Sequence, residues 1–116
     1  MFCEGQEVQL RYMAATDQFA ILTFAGALPA HDLLFLRRDI TQPKVVAAWI
    51  DEAVEGRITT LLAIHEGRVV GCLALVRDEL SWSAHVGEIR IAVTPEMRGK
   101  GLGRVLAQQA LAIGLA

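Results

Sequence analysis

An α+β fold is predicted by the order of hydrophobic patterns along this chain of 116 residues. Apolar strand patterns occur near the start and in the second half, while segments with helical spacing lie between and after them. The resulting order β-α-α-β-β-β-α favours a mixed, mainly antiparallel sheet with flanking helices. Because 53% of the residues are hydrophobic and no repeat or linker is visible, residues 1–116 are expected to form a single domain.

The N-terminal half is predicted to contain one strand and two helices. Apolar and polar residues alternate over Glu7–Met13, which indicates a strand. A helix that Thr16 can cap follows, and Gly26 ends it. The second helix opens at Thr41-Gln42-Pro43, because proline is tolerated in a first helical turn, and Gly56 suits its C-cap.

The C-terminal half is predicted to contain three strands and a last helix. The strands Thr59–His65 and Arg68–Arg77 are separated only by Glu66-Gly67, which predicts a tight hairpin turn with positive φ. A third apolar run, His85–Val93, follows a polar break. The last helical pattern covers Leu102–Ala116.

Composition and charge exclude several classes of protein. The formal net charge of −2 argues against a general nucleic-acid binder, which has a basic surplus. No apolar run reaches the roughly 18 residues that cross a bilayer, and the N-terminus lacks the early basic residues of a signal peptide. The two cysteines, Cys3 and Cys72, have no metal-ligand spacing. We therefore expect a cytoplasmic protein with no metal and with neither nucleic-acid nor membrane partners.

A glycine-rich loop is the most specific feature of the chain. The apolar strand stops at Thr94-Pro95, and Arg98–Gly103, with three glycines, leads into the last helix. A strand, a glycine-rich loop and a helix start bring free backbone N–H groups and the positive end of a helix dipole to one point. Such a point binds phosphate.

Other phosphate-binding loops do not match these residues. A Walker loop ends in Gly-Lys-Ser/Thr, but Gly101 follows Lys100. A dinucleotide-binding loop requires glycine where Arg104 stands. A protein-kinase glycine loop joins two strands, whereas this loop opens a helix.

The pattern Arg98-x-x-Gly101-x-Gly103, after a strand that ends Val-x-Pro, resembles the acetyl-CoA-binding motif of the GNAT superfamily of N-acetyltransferases, Gln/Arg-x-x-Gly-x-Gly/Ala. The element order is similar, and so is the hairpin followed by Arg68–Gly71. The resemblance covers nearly the whole chain from Val8 onward, and Ile91–Arg104 is its specific part. It implies a GNAT-like fold and transfer of an acetyl group from acetyl-CoA to an amine of a small molecule or protein, by direct attack in a ternary complex.

The resemblance also implies a set of cofactor-binding residues. The strand backbone pairs with the pantetheine arm much as an added strand would, through Ile91, Ala92 and Val93. The loop binds the diphosphate, and its glycines let the anion approach the backbone without meeting a Cβ. Basic side chains add charge-assisted donors. The loop residues assigned to the diphosphate are Arg98, Gly99, Lys100, Gly101, Leu102, Gly103 and Arg104.

Acyl transfer to an amine needs a proton acceptor and donors for the oxyanion. Glu88 interrupts an apolar strand and is the candidate base, although it shares a strand face with Arg90 and the two can instead form an ion pair. By resemblance, the main-chain N–H of Val93 is the oxyanion donor. His85 is a second candidate proton acceptor. Tyr12, the only tyrosine, lies in the first strand and is not expected to be the general acid.

Two further expectations concern the acceptor and the end of the chain. By resemblance, the acceptor binds at the loop Leu28–Thr41, whose charged residues equally suit a solvated face: Asp32, Arg37, Arg38 and Asp39. Family members continue with a fifth strand, so the chain is expected to be truncated before that strand. Its last strand is then an unpaired sheet edge, which favours a homo-oligomer such as a dimer.

Two other functions remain open from the residues alone. The first is a catalytically inactive module that binds CoA or oligomerises. The second is a protein that binds a nucleotide phosphate and is unrelated to acyl transfer.

Overall fold

The strands and helices described below come from a computed structural model, which describes residues 2–3, 6–29, 38–77 and 86–114. In chain order they are β1 (Phe2–Cys3), β2 (Gln6–Glu7), β3 (Gln9–Tyr12), α1 (Gln18–Gly26), α2 (Pro43–Val54), β4 (Ile58–His65), β5 (Arg68–Arg77), β6 (Val86–Val93) and α3 (Leu102–Gly114).

A four-stranded antiparallel sheet in the order β3-β4-β5-β6 forms the centre of the fold. Opposite residues include Leu61 with Leu73, across β4 and β5, and Gly71 with Val93, across β5 and β6. The predicted α+β fold and its order of main elements are confirmed. The short pair of β1 and β2 is an addition that the sequence patterns did not predict.

Helices cover both faces of this sheet, and each face has its own hydrophobic core. On one face α1 and α2 bury Phe24 and Trp49 against the sheet, and on the other α3 buries Leu106. Side chains alternate along a strand, so Cys72 faces the α1–α2 core while Leu73 faces the α3 core. Strand β5 is therefore buried on both sides, which explains its nearly continuous apolar sequence.

Burial determines the chemistry of Cys72 and of Trp49. The Cys72 thiol is fully buried and free, and burial raises its pKa because a thiolate would lose its hydration. Cys72 therefore packs as a small hydrophobic residue of the core. The indole Nε1 of Trp49 donates to the hydroxyl of Thr60 at 3.0 Å, so this polar atom keeps a hydrogen-bond partner inside the core.

The start of α1 differs from the prediction. Asp17, rather than Thr16, precedes the helix, and its carboxylate does not cap it. The carboxylate instead accepts two hydrogen bonds from Arg11, each 2.8 Å long, and one from the amide of Ala14 at 2.6 Å. The hydrogen bonds from Arg11 hold the pKa of Asp17 below its usual value. The contact joins β3 to α1 across the turn between them. A capping rule considers only the residues beside the helix start, so it does not predict this contact.

The other turn predictions agree with the structure. Glu66 and Gly67 both have positive φ, +52° and +76°, as the tight turn between β4 and β5 requires. Gly56 follows α2 with a φ of +82°, the left-handed conformation that commonly ends a helix.

Candidate functional site

Strand β6 passes into α3 through a compact turn at residues 94–101. Pro95–Met97 form a single 3-10 turn, in which the amide of Met97 donates to Thr94 at 3.0 Å and that of Arg98 to Pro95 at 3.3 Å. The side chain of Met97 is only 2% exposed and packs in the α3 core. The turn is therefore anchored by its backbone hydrogen bonds and by the buried side chain of Met97.

Two loop glycines are required by backbone conformation. Gly99 has a φ of +76° and Gly101 a φ of +84°, which other residues adopt only with strain. Gly103 is different, because it lies within α3 and a Cβ built there would meet no protein atom within 4 Å. Neither conformation nor packing in the described structure requires glycine at position 103. The absence of a side chain there leaves open space at the start of α3.

The amides of this loop have the arrangement predicted from the sequence. From Gly99 to Arg104, none of them donates to a backbone carbonyl of the described residues. The first bond of the helix runs from the amide of Val105 to the carbonyl of Gly101, at 3.1 Å. The loop amides therefore coincide with the positive end of the dipole of a 13-residue helix.

The loop side chains divide into buried and exposed groups. Leu102 is fully buried in the α3 core, so its contribution at the surface is its main chain. A Cβ on Gly71 would lie 3.0 Å from the Cδ2 atom of Leu102, so any larger residue at position 71 would require the Leu102 side chain to shift by a few tenths of an ångström. Arg104 is exposed and Lys100 is half-buried. The exposed Arg98 donates from Nε to the carbonyl of Val93 at 3.2 Å.

The main chain of β6 has one edge that no described strand covers. In an antiparallel pair, successive residues turn their N–H and C=O groups alternately toward the partner and away from it. The amide of Thr94 donates to the carbonyl of Val70 on the β5 side at 2.9 Å. By this alternation Ala92 also faces β5, opposite Cys72, while Ile91 and Val93 point outward.

This alternation corrects the expectation that Ala92 offers its main chain to a ligand. Its N–H and C=O groups face the neighbouring strand and are directed away from the open edge. Ile91 and Val93, the other two strand residues assigned to the cofactor, have outward main chains.

Glu88 and Arg90 form the ion pair that the sequence left open. The Nε atom of Arg90 lies 3.0 Å from Oε2 of Glu88, and both side chains are partly exposed. They share a strand face with Ala92, which belongs to the α1–α2 core, so the carboxylate lies on that side of the sheet. The pairing fixes the position of this carboxylate. The role of Glu88 as the catalytic base stays a prediction.

Other candidates from the sequence lie away from the loop or outside the described residues. His85, Asp32 and Arg37 are outside them. Two charged residues of the predicted acceptor loop make structural contacts: Arg38 pairs with Glu52, and Asp39 accepts from the amide and hydroxyl of Thr41. The hydroxyl contact is the main cause that lowers the pKa of Asp39. Tyr12 lies on β3, at the opposite edge of the sheet from β6.

Metal and membrane features were sought across the described parts of the chain. These residues contain no cluster of three or more His, Cys, Asp or Glu side chains that could hold a metal ion. None of the described helices combines the length and apolar character needed to cross a bilayer.

Several solved acetyltransferase structures share this fold. An acetyltransferase of the GNAT family from Streptococcus pneumoniae has a TM-score of 0.74 and 19% identity, covering 95% of this chain and 68% of that protein. An N-acetyltransferase from Staphylococcus aureus has a TM-score of 0.70 and 20% identity, covering 93% and 66%. PaiA N-acetyltransferase from Thermoplasma acidophilum, solved in complex with coenzyme A, has a TM-score of 0.65 and 16% identity, covering 92% and 71%. At such low identity these likenesses support the fold alone.

The sequence itself identifies the family. Comparison with curated proteins gives no significant match. The family model described as "Acetyltransferase (GNAT) family" matches residues 28–116, which is most of the chain and includes β6, the glycine loop and α3. The chain therefore belongs to the acetyltransferase (GNAT) family.

Proposed function

We propose that this protein moves an acetyl group from acetyl-CoA to an amine, by direct attack of the amine in a ternary complex. The observation that carries the proposal is the row of loop amides from Gly99 to Arg104, which donate to no described carbonyl and lie beside the outward edge of β6. Membership of the family supports it, as does the coenzyme A complex of the Thermoplasma acidophilum neighbour.

The loop and the strand edge fit two different parts of the cofactor. The diphosphate would accept hydrogen bonds from the loop amides, at about 1.5–3 kcal/mol for each bond to a charged group. The helix dipole adds only about 0.3–1 kcal/mol, so the hydrogen bonds dominate. Lys100 and Arg104 supply positive charge at the same point. The pantetheine arm would pair with the outward main chain of Ile91 and with the outward amide of Val93, whose carbonyl already accepts from Arg98.

The reaction itself requires few protein groups. The amine nitrogen attacks the thioester carbonyl, a C–N bond forms, and the amine gives up a proton. Collapse of the tetrahedral intermediate then breaks the C–S bond and releases the thiolate of CoA. Outward backbone amides of β6 would stabilise the oxyanion, and Glu88 would accept the amine proton from the α1–α2 side of the sheet.

Strand geometry distinguishes two candidate oxyanion donors. At about 3.3 Å per residue, Val93 lies roughly 16 Å along β6 from Glu88, whereas Ile91 lies roughly 10 Å from it. If the amide of Ile91 holds the oxyanion, the amine lies close enough to Glu88 for its carboxylate to accept the proton directly or through one water. The amide of Val93, the donor chosen from the sequence, requires a longer chain of waters between the amine and Glu88.

Ligand-induced stabilisation tests the cofactor assignment. At a CoA concentration of about 100 times Kd, binding adds roughly 2.7 kcal/mol to the free energy of unfolding, which raises Tm by about 10 °C in a chain of this size. We expect this shift with CoA and acetyl-CoA. ATP, which has phosphates but no pantetheine, is expected to give a much smaller shift. No shift with CoA would contradict the proposal, and an equal shift with ATP would indicate a nucleotide-phosphate site instead.

We also propose that copies of the chain associate through the open edge of β6. Ile89 is 54% exposed and Ile91 is 37% exposed beside that edge, so pairing would bury apolar surface as well as backbone groups. The pantetheine arm would use the same edge, and the two kinds of binding therefore compete. Analytical ultracentrifugation is expected to detect a dimer that CoA dissociates. A monomer without ligand, or a dimer insensitive to CoA, would contradict this proposal.

A further inference from the structure

The side chain of Arg98 turns back from the loop onto the strand before it. Its Nε atom donates to the carbonyl of Val93 at 3.2 Å, and this bond closes the turn of residues 94–97 into a ring. The same peptide group is held on its other side, because the amide of Thr94 donates to Val70 at 2.9 Å. The last peptide of β6 is thus clamped between β5 and the loop.

We propose that Arg98 is a positioning residue, which uses its Nε–H donor to the Val93 carbonyl to fix the diphosphate loop relative to the outward edge of β6. The inference rests on the proposed function, because coenzyme A would contact the loop and the strand edge at the same time. A ligand that spans two sites binds most tightly when their separation is set before it arrives. The bond from Arg98 joins these two sites directly.

The role depends on a hydrogen-bond donor and not on a positive charge. The Nε atom of arginine and the side-chain nitrogen of glutamine are the same number of bonds from Cα, so glutamine at position 98 can donate to the Val93 carbonyl without carrying a charge. Methionine has a similar length but no donor. Arg104 provides the contrast, since it is exposed in the first turn of α3 and would act on the diphosphate through its charge.

Four variants separate the two roles: Arg98→Gln, Arg98→Met, Arg104→Gln and Arg104→Met. Isothermal titration with CoA at low and high salt gives the Kd and its salt dependence for each, and circular dichroism checks that each is folded. Arg98→Met is expected to raise Kd about tenfold, which corresponds to one lost hydrogen bond, while Arg98→Gln raises it less than about threefold. At position 104, glutamine and methionine are expected to raise Kd equally and to reduce its salt dependence.

Three results would overturn the inference while leaving the proposed function intact. The first is an equal loss of affinity in Arg98→Gln and Arg98→Met. The second is a reduced salt dependence in Arg98→Gln that matches Arg104→Gln, which would make Arg98 a charged ligand of the diphosphate. The third is unchanged affinity in Arg98→Met. If the unmodified protein itself binds no CoA, the proposed function fails and the inference fails with it.

Discussion

Replacement of Glu88 by glutamine is expected to lower kcat for acetyl transfer by about 10²–10⁴-fold while changing the affinity for CoA little. Glutamine cannot accept the amine proton, but its amide oxygen can still accept a hydrogen bond from Arg90, so the local structure is preserved. The release of free CoA thiol measures the reaction. Because the acceptor is an amine of unspecified class, the assay uses a polyamine, an aminoglycoside and a lysine-containing peptide in parallel.

Glu96→Gln is the matched control for this substitution. Glu96 is also a carboxylate near the end of β6, but it is half exposed and forms a 3.2 Å ion pair with Arg68. We expect its kcat to stay within about twofold of the unmodified protein, since an exposed ion pair contributes little. Equal rates in Glu88→Gln and the unmodified protein would make Glu88 only the ion-pair partner of Arg90. Binding of CoA with no turnover of any amine would instead favour a catalytically inactive module.

The features that were predicted correctly depend on neighbouring residues in the sequence. The strand Arg68–Arg77, the helix start at Leu102 and the positive φ values of Glu66 and Gly67 all agree with the structure. An apolar run predicts the strand, a glycine-rich loop before a helical pattern predicts the helix start, and a two-residue turn predicts the positive φ values. Each of these signals depends on adjacent residues. The backbone of the glycine loop belongs to the same class, because Gly99 and Gly101 have positive φ and the helix that follows is adjacent in the chain. That the loop binds a diphosphate stays a prediction.

The features that were missed depend on contacts between distant residues. The alternation of apolar and polar residues predicts which face of β6 a side chain occupies. It does not predict which of two adjacent residues directs its N–H and C=O groups toward β5. The bond from Thr94 to Val70 determines that choice, and it leaves Ala92 facing inward. The bond between Arg98 and Val93 is similar, because the target of a long side chain follows from how the loop folds back. Strands of two residues, such as β1, are too short for any period to be read.

Substitution of Gly101 by alanine is expected to weaken CoA binding about tenfold or more and to destabilise the fold slightly. The φ of +84° costs alanine about 1–2 kcal/mol, and a Cβ there would contact no protein atom, so the loss of stability comes from backbone strain alone. The loop can relieve this strain by rotating residue 101 out of the left-handed region. Rotation would turn the amides of Gly101 and Leu102 away from the diphosphate, and each lost bond to a charged group is worth about 1.5–3 kcal/mol.

Gly56→Ala is the control that separates strain from binding. Gly56 has nearly the same φ, +82°, and equally open surroundings, but it lies at the end of α2, outside the loop. Urea unfolding is expected to give similar losses of stability for both variants, while titration with CoA gives a higher Kd for Gly101→Ala alone. A Kd that rises equally in both would mean that affinity follows overall stability. A Kd that rises in neither would mean that the loop amides do not hold the diphosphate, because the cradle needs residue 101 in the left-handed conformation.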